Sequence, residues 1–358
     1  MSEVMGLLKE VPFKKRLPRW LAALAFAAAE SLPCLLGINR VTSGVVYPYP
    51  PVFEPVMFES QDGTPLCGYL AVQPSSDPGP SLILAHGLFS SKNSAAVQAL
   101  ALRAYYRWGF HVLALDLRNH GDSSRLSGAP TSLGYRESDD ILAAARFLAS
   151  IDRVNTVAVV GTGIGASSAL LAAGRTTPDR PLAGGVVAVN GYARASREAE
   201  FLSATGRPWS PAYAIRLRFG LVLLLKTVTC GPRPVTDLRR YIREVAAQYY
   251  EISEEELYRK ASPAGAVSAI EVPCLIIHSR DDPVIPVAEA RELEALASEN
   301  PMVGVLVAPA GGHAMYQAVS PGWFYTVLET FLRYWGEEGE RDSMVENDTM
   351  DMYGNPDN

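Results

Sequence analysis

The chain has 358 residues, of which 48% are hydrophobic, and this is enough to bury a large core in one or two domains. Its formal net charge is −6, but residues 337–358 hold eight acidic residues and one basic residue, a net −7. The rest of the chain therefore carries about +1, and it has no cluster of Lys and Arg interleaved with aromatic residues. This composition argues against nucleic-acid binding.

The four cysteines are scattered along the chain, without a C-x-x-C pair and without a nearby histidine pattern that would complete a metal site. They are Cys34, Cys67, Cys230 and Cys274. This spacing predicts buried free thiols rather than a disulfide framework or a zinc site. We expect no metal ion and no cofactor.

The N-terminal segment, residues 1–52, is basic and then apolar. Four basic residues between positions 14 and 19 precede an apolar stretch at residues 20–38, which Glu30 and Pro33 interrupt. Three interpretations remain open: a membrane anchor, a signal peptide with residues 20–29 as its apolar region, or a helix docked on a membrane or on the protein itself. The basic flank favours membrane association, with a cytoplasmic or an exported protein as the alternatives.

Strand and helix patterns alternate from residue 55 onward, which predicts a mostly parallel eight-stranded sheet with helices on both faces. The predicted strands are residues 56–60, 66–72, 82–86, 110–116, 156–160, 186–190, 273–278 and 303–307. The first two should form an antiparallel hairpin. The predicted helices are residues 94–107, 138–150, 287–297 and 323–335.

Residues 191–261 break this alternation and predict a helical cap insertion over the carboxyl edge of the sheet. The insertion contains an apolar run at residues 219–225, which is too short to span a bilayer. It either packs on the core or lines an apolar cleft. The predicted main domain is thus residues 53–336, followed by an acidic disordered tail at residues 337–358.

The turn after the fifth strand lacks a side chain where a nucleophile is expected. Residues 156–172 read TVAVVGTGIGASSALLA, a buried strand, a glycine-rich turn and a helix of small residues. This is the context of the G-x-S-x-G turn that exposes a nucleophilic serine, but Gly163 stands at its centre. A side chain at such a strained position costs about 1–3 kcal/mol, which glycine avoids. Glycine here should keep the turn and delete the attacking oxygen.

Thr162, Ser167 and Ser168 are the neighbouring hydroxyls that could replace the missing nucleophile. Thr162 should point away from the cleft, and the two serines are expected to pack or face solvent. Attack on a substrate requires close alignment, so we expect none of the three to act.

Backbone N–H groups near the same turn are candidates for an oxyanion hole. A glycine turn follows the third strand at residues 85–89, and it leaves the N–H of Leu88 free to face a developing negative charge. The second donor would be the N–H of Ile164, at the start of the helix that follows the glycine-rich turn around Gly163, the nucleophile elbow of such proteins. His86, in the first of these turns, is otherwise a structural histidine that bridges loops.

An acid and a base follow the last two strands. Asp282 is our candidate acid in preference to Asp281; the alternative is a turn that caps the next helix. His313 is the candidate base and follows Asp282 by 31 residues, with one helix and one strand between them. This fits a triad in the chain order nucleophile, acid, base.

With these motifs in place, residues 58–335 resemble an α/β-hydrolase. Residues 258–263, 270–286 and 311–313 are most similar to the YheT-like branch, which includes α/β-hydrolase-domain acyl-lipid hydrolases and the plant EMB8-like proteins. The resemblance implies the α/β-hydrolase fold and hydrolysis of acyl esters by a serine, in some members esters of phospholipids.

Carried across residue by residue, the resemblance makes Asp282 the acid and His313 the base, and it places Gly163 where the serine should be. Residues 115–123, LDLRNHGDS, match the Arg-x-x-Gly-x-Ser turn common in this superfamily, and we expect that turn to be structural.

Three functional hypotheses follow. The first is a non-hydrolytic or strongly impaired protein that binds a small acyl or ester ligand. The second is an ester hydrolase or proton-abstracting enzyme that uses the His313–Asp282 pair as its base. The third is dinucleotide binding, since residues 161–166 also fit G-x-G-x-x-A. The third is the weakest, because the motif follows a late strand and the next strand ends without an acidic residue. The oligomeric state is not indicated.

Overall fold

The centre of the molecule is one eight-stranded sheet, and every predicted strand is present. The strands are β1 (Glu54–Glu59), β2 (Pro65–Ala71), β3 (Gly79–Ala85), β4 (His111–Asp116), β5 (Val154–Thr162), β6 (Gly185–Val189), β7 (Cys274–Ser279) and β8 (Val303–Ala308). Their order across the sheet is β1-β2-β4-β3-β5-β6-β7-β8. β2 is antiparallel to both neighbours, and the others run parallel. The predicted hairpin is confirmed.

The computed structural model describes residues 1–15, 48–88, 90–175, 181–203, 220, 223 and 234–352, with side chains of the last helix as far as residue 336. Among the described residues, the α-helices of four residues or more are α1 (Ser2–Glu10), α2 (Ala95–Arg103), α3 (Ser123–Leu126), α4 (Glu137–Ala149), α5 (Ile164–Ala173), α6 (Ala195–Ser203), α7 (Leu238–Tyr241), α8 (Glu254–Lys260), α9 (Val287–Leu296), α10 (Tyr316–Val319) and α11 (Pro321–Met352). Both α2 and α7 continue into a π-helical turn, Ala104–Trp108 and Ile242–Ala246.

Helices cover both faces of the sheet because the inner strands are apolar on both sides. Side chains alternate between two core clusters along each strand, so Val159 joins one cluster and Val160 the other. The first cluster includes residues of α4, α5 and α9, and the second includes residues of α1, α2 and α11. A parallel sheet needs this double cover. All predicted helices are present within it.

α1 was not predicted. Its Val4 and Leu8 are fully buried in the second core cluster, and the Tyr334 hydroxyl on α11 donates a 2.9 Å hydrogen bond to Glu3.

The predicted membrane-associated stretch at residues 20–38 lies outside the described residues. Within the described ranges, no helix combines the length and apolar character that crossing a membrane requires. Membrane association therefore stays a prediction.

The insertion at residues 191–261 contains α6, α7 and α8, which agrees with its predicted helical character. Most of the apolar run at residues 219–225 lies outside the described residues, but Leu223 is buried in a third cluster together with Leu202 of α6. α11 is continuous as far as Met352, and the predicted disorder of residues 337–358 stays a prediction. A helix that is nucleated by packing of its first half extends at little cost, since each added residue gains one hydrogen bond. The domain boundaries themselves stay predictions.

The Arg-x-x-Gly-x-Ser turn contains a buried ion network, as the structural interpretation expects. The guanidinium of fully buried Arg118 contacts Asp140 at 2.6 Å and Asp62 at 2.8 Å. The Ser60 hydroxyl donates to Asp140 and accepts from Arg118. Burial acts against ionisation of Asp62, but the hydrogen bonds and charge of Arg118 prevail and lower the pKa of Asp62 to about 2. The network joins the ends of β1 and β4 to α4.

Removing Asp140 should be much more damaging than removing Asp62. Asp140→Ala leaves the buried Arg118 charge without its buried ion-pair partner and should lower the free energy of unfolding by about 3–5 kcal/mol. Asp62→Ala removes a partly exposed partner and should cost about 1 kcal/mol. Urea unfolding at pH 7 measures both, and equal losses would contradict this account of the network.

Candidate active site

The turn between β5 and α5 has the geometry of a nucleophile elbow. Gly163 lies at φ +56° and ψ −117°, and its N–H donates a 3.0 Å hydrogen bond to the carbonyl of Val189 at the end of β6. This left-handed region disfavours any residue with a Cβ. The structure therefore places residue 163 in the conformation that the sequence pattern predicts.

The three glycines of the turn are present for different reasons. A Cβ on Gly161 would collide with the carbonyl of Gly165, and a Cβ on Gly165 would lie 2.6 Å from the carbonyl oxygen of Ala85. A Cβ on Gly163 would meet no atom of the described residues closer than 3.4 Å. Packing thus requires glycine on either side of residue 163, but at residue 163 only the backbone angle favours it.

His313 faces this turn. The atom nearest to a Cβ built on Gly163 is Nε2 of His313, at 3.4 Å, and the other ring nitrogen, Nδ1, lies 3.0 Å from Oδ2 of Asp282. The ionised carboxylate accepts the Nδ1 proton, which leaves the lone pair of Nε2 directed at residue 163. The structure thus brings together all three predicted triad positions.

The Asp282 carboxylate is fully buried and well supplied with donors. Its Oδ1 accepts the backbone N–H groups of Val284, at 2.7 Å, and Ile285, at 3.0 Å. Burial alone would raise the pKa of Asp282, but the charge and hydrogen bond of His313 outweigh it and lower the pKa below its usual range. Asp282 therefore contacts His313 and the turn before α9, whereas the alternative of a helix cap is not met, because α9 begins after Pro286 without a side-chain cap.

Asp281 bonds to the loop that carries His313 rather than to the His313 ring. Its Oδ1 accepts the N–H groups of Gly311 and Gly312, both at 2.9 Å. These bonds fix the loop that carries His313. The paired aspartates therefore position the base in two ways: Asp282 bonds to its ring, and Asp281 bonds to the backbone of the two glycines that precede it.

The candidate oxyanion donors flank the same turn. The Cα of Gly87, next to Leu88, lies 3.7 Å from the Cβ position at Gly163, and Ile164 is the first residue of α5. Within the described part of the chain, neither the Leu88 nor the Ile164 N–H has a hydrogen-bond acceptor. Their role stays a prediction.

His86 connects two loops. Its Nδ1 lies 2.8 Å from the carbonyl of Gly87, and its Nε2 accepts the N–H of Leu117 at 3.2 Å. These contacts fit the structural alternative and hold the loop of Leu88 beside the end of β4.

Asn190 is a central residue of the site that the sequence did not indicate. It follows β6 at φ +52°, and its Nδ2 donates to Asp282 Oδ2 at 2.5 Å and to the Gly312 carbonyl at 3.2 Å. Its Oδ1 accepts the Tyr316 hydroxyl at 2.9 Å, and the Ser279 hydroxyl donates to the same Gly312 carbonyl. Asn190 thus links the acid to the loop of the base. A lone Asn after a strand carries no spacing signal that would have identified it.

Two of the three alternative nucleophiles, Ser167 and Ser168, bond to the backbone. The Ser167 hydroxyl accepts the N–H of Tyr192 at 3.1 Å, and the Ser168 hydroxyl donates to the Ile164 carbonyl at 2.7 Å. Both serines are fully buried. The dinucleotide hypothesis gains no support, because Asn190 stands where the acidic residue for a ribose would be required.

A second buried carboxyl lies close to the acid. Glu198 on α6 is 7% exposed, and within the described residues its carboxyl has no hydrogen-bond or ion-pair partner. Desolvation, followed by the charges of Asp282 and Glu289, raises the pKa of Glu198 well above its usual range. Glu198 is therefore protonated at a pH where ordinary glutamates are ionised.

The alpha/beta hydrolase family model matches residues 82–325, which is more than half of the chain. The chain belongs to the alpha/beta hydrolase family. The match includes the elbow, Asp282 and His313. Nothing in it distinguishes the YheT-like branch, so that finer assignment stays a prediction.

Two curated relatives were found for this family member. An uncharacterised Bacillus subtilis protein, YqkD, is 26% identical over 268 residues, 73% of each chain. The sn-1-specific diacylglycerol lipase ABHD11 of Xenopus tropicalis is 50% identical over 48 residues, 13% of this chain and 14% of the lipase.

Solved structures agree on the fold. The Pyrococcus furiosus esterase Pf2001 superimposes with a TM-score of 0.57 at 18% identity, over 79% of this chain and 92% of the esterase. A puromycin-hydrolysing peptidase of Mycobacterium tuberculosis superimposes with a TM-score of 0.54 at 16% identity, over 80% of this chain and 40% of the peptidase.

Asn190→Leu should destabilise the protein by about 2 kcal/mol, because it leaves the buried Tyr316 hydroxyl without its acceptor. Ser279→Ala is the matched control, since the Gly312 carbonyl then keeps its bond from Asn190, and about 1 kcal/mol or less should be lost. Urea unfolding measures both variants. A smaller loss for Asn190→Leu than for Ser279→Ala would refute the central position of Asn190.

Glu198→Gln should stabilise the protein at pH 7 and have no such effect near pH 4. An unfolded glutamate ionises above about pH 4.3, while the folded Glu198 holds its proton, so wild-type stability falls as the pH rises through this range. Glutamine does not titrate in this pH range, so the variant does not lose stability in this way. Thermal unfolding at both pH values tests this, with exposed Glu200→Gln as the control in the same helix. The same benefit at both pH values would rule out the raised pKa as its cause.

Proposed function

We propose that this protein binds an acyl or ester ligand in an α/β-hydrolase site without forming an acyl-enzyme at residue 163. One observation carries the proposal: the Cβ position of Gly163 lies 3.4 Å from Nε2 of His313. Every other part expected of a serine-dependent site has a counterpart in the chain. The nucleophilic atom alone does not, because glycine has no side chain.

The class of ligand is supported by the site and by the relatives. Two N–H groups, of Leu88 and Ile164, would hold the carbonyl oxygen of an acyl group, since an oxyanion hole also binds the ground-state carbonyl, though more weakly. The partly matching Xenopus protein is a diacylglycerol lipase, and the Pyrococcus neighbour is an esterase. An acyl ester of a lipid or of a small alcohol is the ligand that these features favour.

Loss of the serine should remove most catalysis but leave binding. In serine proteases, removal of the triad leaves an acceleration of about 10³–10⁴ over water from the oxyanion hole and binding. The ligand would therefore bind reversibly and be turned over slowly. Such a protein would carry, sense or present an acyl ligand.

The retained dyad supports a second candidate function. Because the hydrogen bond between His313 and Asp282 is intact, Nε2 can act as a general base toward water or toward an acidic proton of the substrate. This gives ester hydrolysis or proton abstraction without a covalent intermediate. His313→Ala should then abolish turnover that remains in the wild type.

We also propose that the basic and apolar N-terminal segment brings the protein to a membrane surface. The supporting feature is the cluster of Lys and Arg directly before the apolar residues.

Gly163→Ser should install the missing nucleophile. The introduced hydroxyl would lie beside Nε2, so the variant should react with a fluorophosphonate probe and hydrolyse p-nitrophenyl butyrate at least about 100-fold faster than the wild type. Intact-mass spectrometry and absorbance assays measure the two effects. The additional change His313→Ala should abolish both.

The proposal fails if the wild type itself is labelled stoichiometrically by the probe. It also fails if Gly163→Ser folds, as judged by its thermal unfolding, but neither reacts with the probe nor hydrolyses the ester. Gly163→Ala controls for the strain of a Cβ at this backbone angle.

A further inference from the structure

Residues 11–14, here named the N-terminal strap, follow α1 and lie against the loop of residues 311–314, which carries His313. Val11 is extended, at φ −65° and ψ 119°, which is the conformation that a residue before proline prefers. Pro12 has no N–H with which to continue the helix. The chain therefore leaves α1 as an extended segment, and its next two residues contact the region between β8 and α11.

Phe13 packs where the loop begins and ends. Ala310 comes directly before the loop and, together with Val319, forms a small buried apolar cluster. Phe13 and Met315, the residue directly after the loop, both pack on that cluster. The Phe13 ring also meets the Trp323 ring of α11 edge-on, with centroids 5.2 Å apart. The strap thus contacts the apolar side chains on which both ends of the loop rest.

The strap is also joined to this region by a hydrogen bond. The hydroxyl of buried Ser320 donates to the carbonyl of Lys14 at 2.8 Å. Ser320 directly follows α10, whose first residue, Tyr316, packs tightly on Gly311 and donates its hydroxyl proton to Asn190. α10 therefore connects the strap to the loop and to the residue that bonds to the candidate acid.

The loop needs such support because its backbone is strained. His313 lies between two residues with positive φ, Gly312 at +54° and Ala314 at +57°. Glycine adopts this angle freely, whereas the Cβ of Ala314 disfavours it. A strained conformation persists only where the surrounding contacts hold it. Asp281 bonds to the backbone before His313, and on the other side Ala314 packs on the same core cluster as the strap.

We propose that Phe13 is a positioning residue: it keeps the strained loop in place, and with it the His313 ring between Asp282 and residue 163. The inference rests on the proposed function only in taking His313 as the base of the site, because the position of the ring does not depend on a ligand. It goes beyond that function by making the N-terminal strap part of the support of the base.

Without the Phe13 ring, the loop should relax at Ala314. The main chain would then turn the His313 ring for part of the time, so that Nδ1 loses its bond to Asp282 and Nε2 no longer faces residue 163. Asp282 keeps its two backbone donors. The effect is therefore expected on the base alone.

The first measurement needs no ligand. NMR of the full-length protein, labelled with nitrogen-15 histidine, follows the Nδ1 proton of His313, and His313→Gln assigns its signal among those of the five histidines. In Phe13→Ala this proton should exchange with water at least about tenfold faster than in the wild type, because the loop opens more often. Phe13→Leu keeps an apolar side chain on the cluster and should stay within about threefold of the wild type.

Two further variants separate positioning from lost packing. Phe147→Ala is the matched control, since that ring is also half-buried and stacks on Phe58 at 4.8 Å, but in the first core cluster. It should leave the exchange rate of the His313 proton within about twofold of the wild type, because the two sites share no contact. Adding Ala314→Gly to Phe13→Ala removes the strain that the ring opposes and should bring the rate back to within about threefold of the wild type.

The second measurement uses Gly163→Ser, the variant that should carry the nucleophile. Adding Phe13→Ala to it should lower kcat for p-nitrophenyl butyrate at least about tenfold, since attack needs an aligned base. KM should stay within about twofold, because the change removes no group that is proposed to bind the ester.

Unchanged exchange in a folded Phe13→Ala protein, or the same acceleration in Phe147→Ala, overturns the inference. So does a failure of Ala314→Gly to restore slow exchange. If Phe13→Ala does not fold, Ser320→Ala, which removes the bond to Lys14, decides instead. Exchange at least about threefold faster in that variant supports the inference, and exchange at the wild-type rate overturns it.

The two measurements separate this inference from the function on which it rests. If Gly163→Ser folds but is inactive, the proposed function fails, while the exchange rates still decide the role of Phe13. If Gly163→Ser is active and Phe13→Ala changes neither exchange nor kcat, the positioning role is refuted and the proposed function stands.

Discussion

The backbone of residue 163 is the constraint on which the site depends. Gly161 and Gly165 are packed too closely for any side chain, so glycine at both positions allows the sharp turn between β5 and α5. The N–H of Gly163 bonds to Val189 and holds the apex at positive φ. The turn therefore has the geometry of a nucleophile elbow, with glycine at its apex.

The opposite side of the site is held by one buried carboxylate. Asp282 accepts hydrogen bonds from Val284, Ile285, His313 and Asn190, which makes it the junction between β6, β7 and the loop after β8. Such a buried charge is stable only when it is fully bonded. The arrangement therefore orients the His313 ring through its bond to Asp282. The proposed acid–base role of His313 depends on this orientation.

Much of the fold followed from the sequence because its signals are local. Each buried strand is a short apolar run bounded by turn residues, and the amphipathic stripe of α11 has helical spacing, so both are readable without a structure. That Asp282 and His313 lie close together could be predicted for a topological reason, since parallel strands deliver their carboxyl ends to one edge of the sheet. The chain order of acid and base then selected them.

The parts that were missed depend on tertiary contacts. α1 has few residues and owes its burial to α11, far away in the chain. Asn190 matters only because Asp282, Gly312 and Tyr316 converge on it, and Glu198 only because α6 carries it toward Asp282. None of these leaves a pattern in a short window of sequence.

The most direct test of the account is a crystal structure of Gly163→Ser. The account predicts that the introduced hydroxyl oxygen lies about 2.7–3.1 Å from Nε2 of His313, with the turn unchanged and Asp282 still bonded to Nδ1. A hydroxyl more than about 4 Å from Nε2, beyond any hydrogen bond, or a histidine turned out of the site, would contradict it.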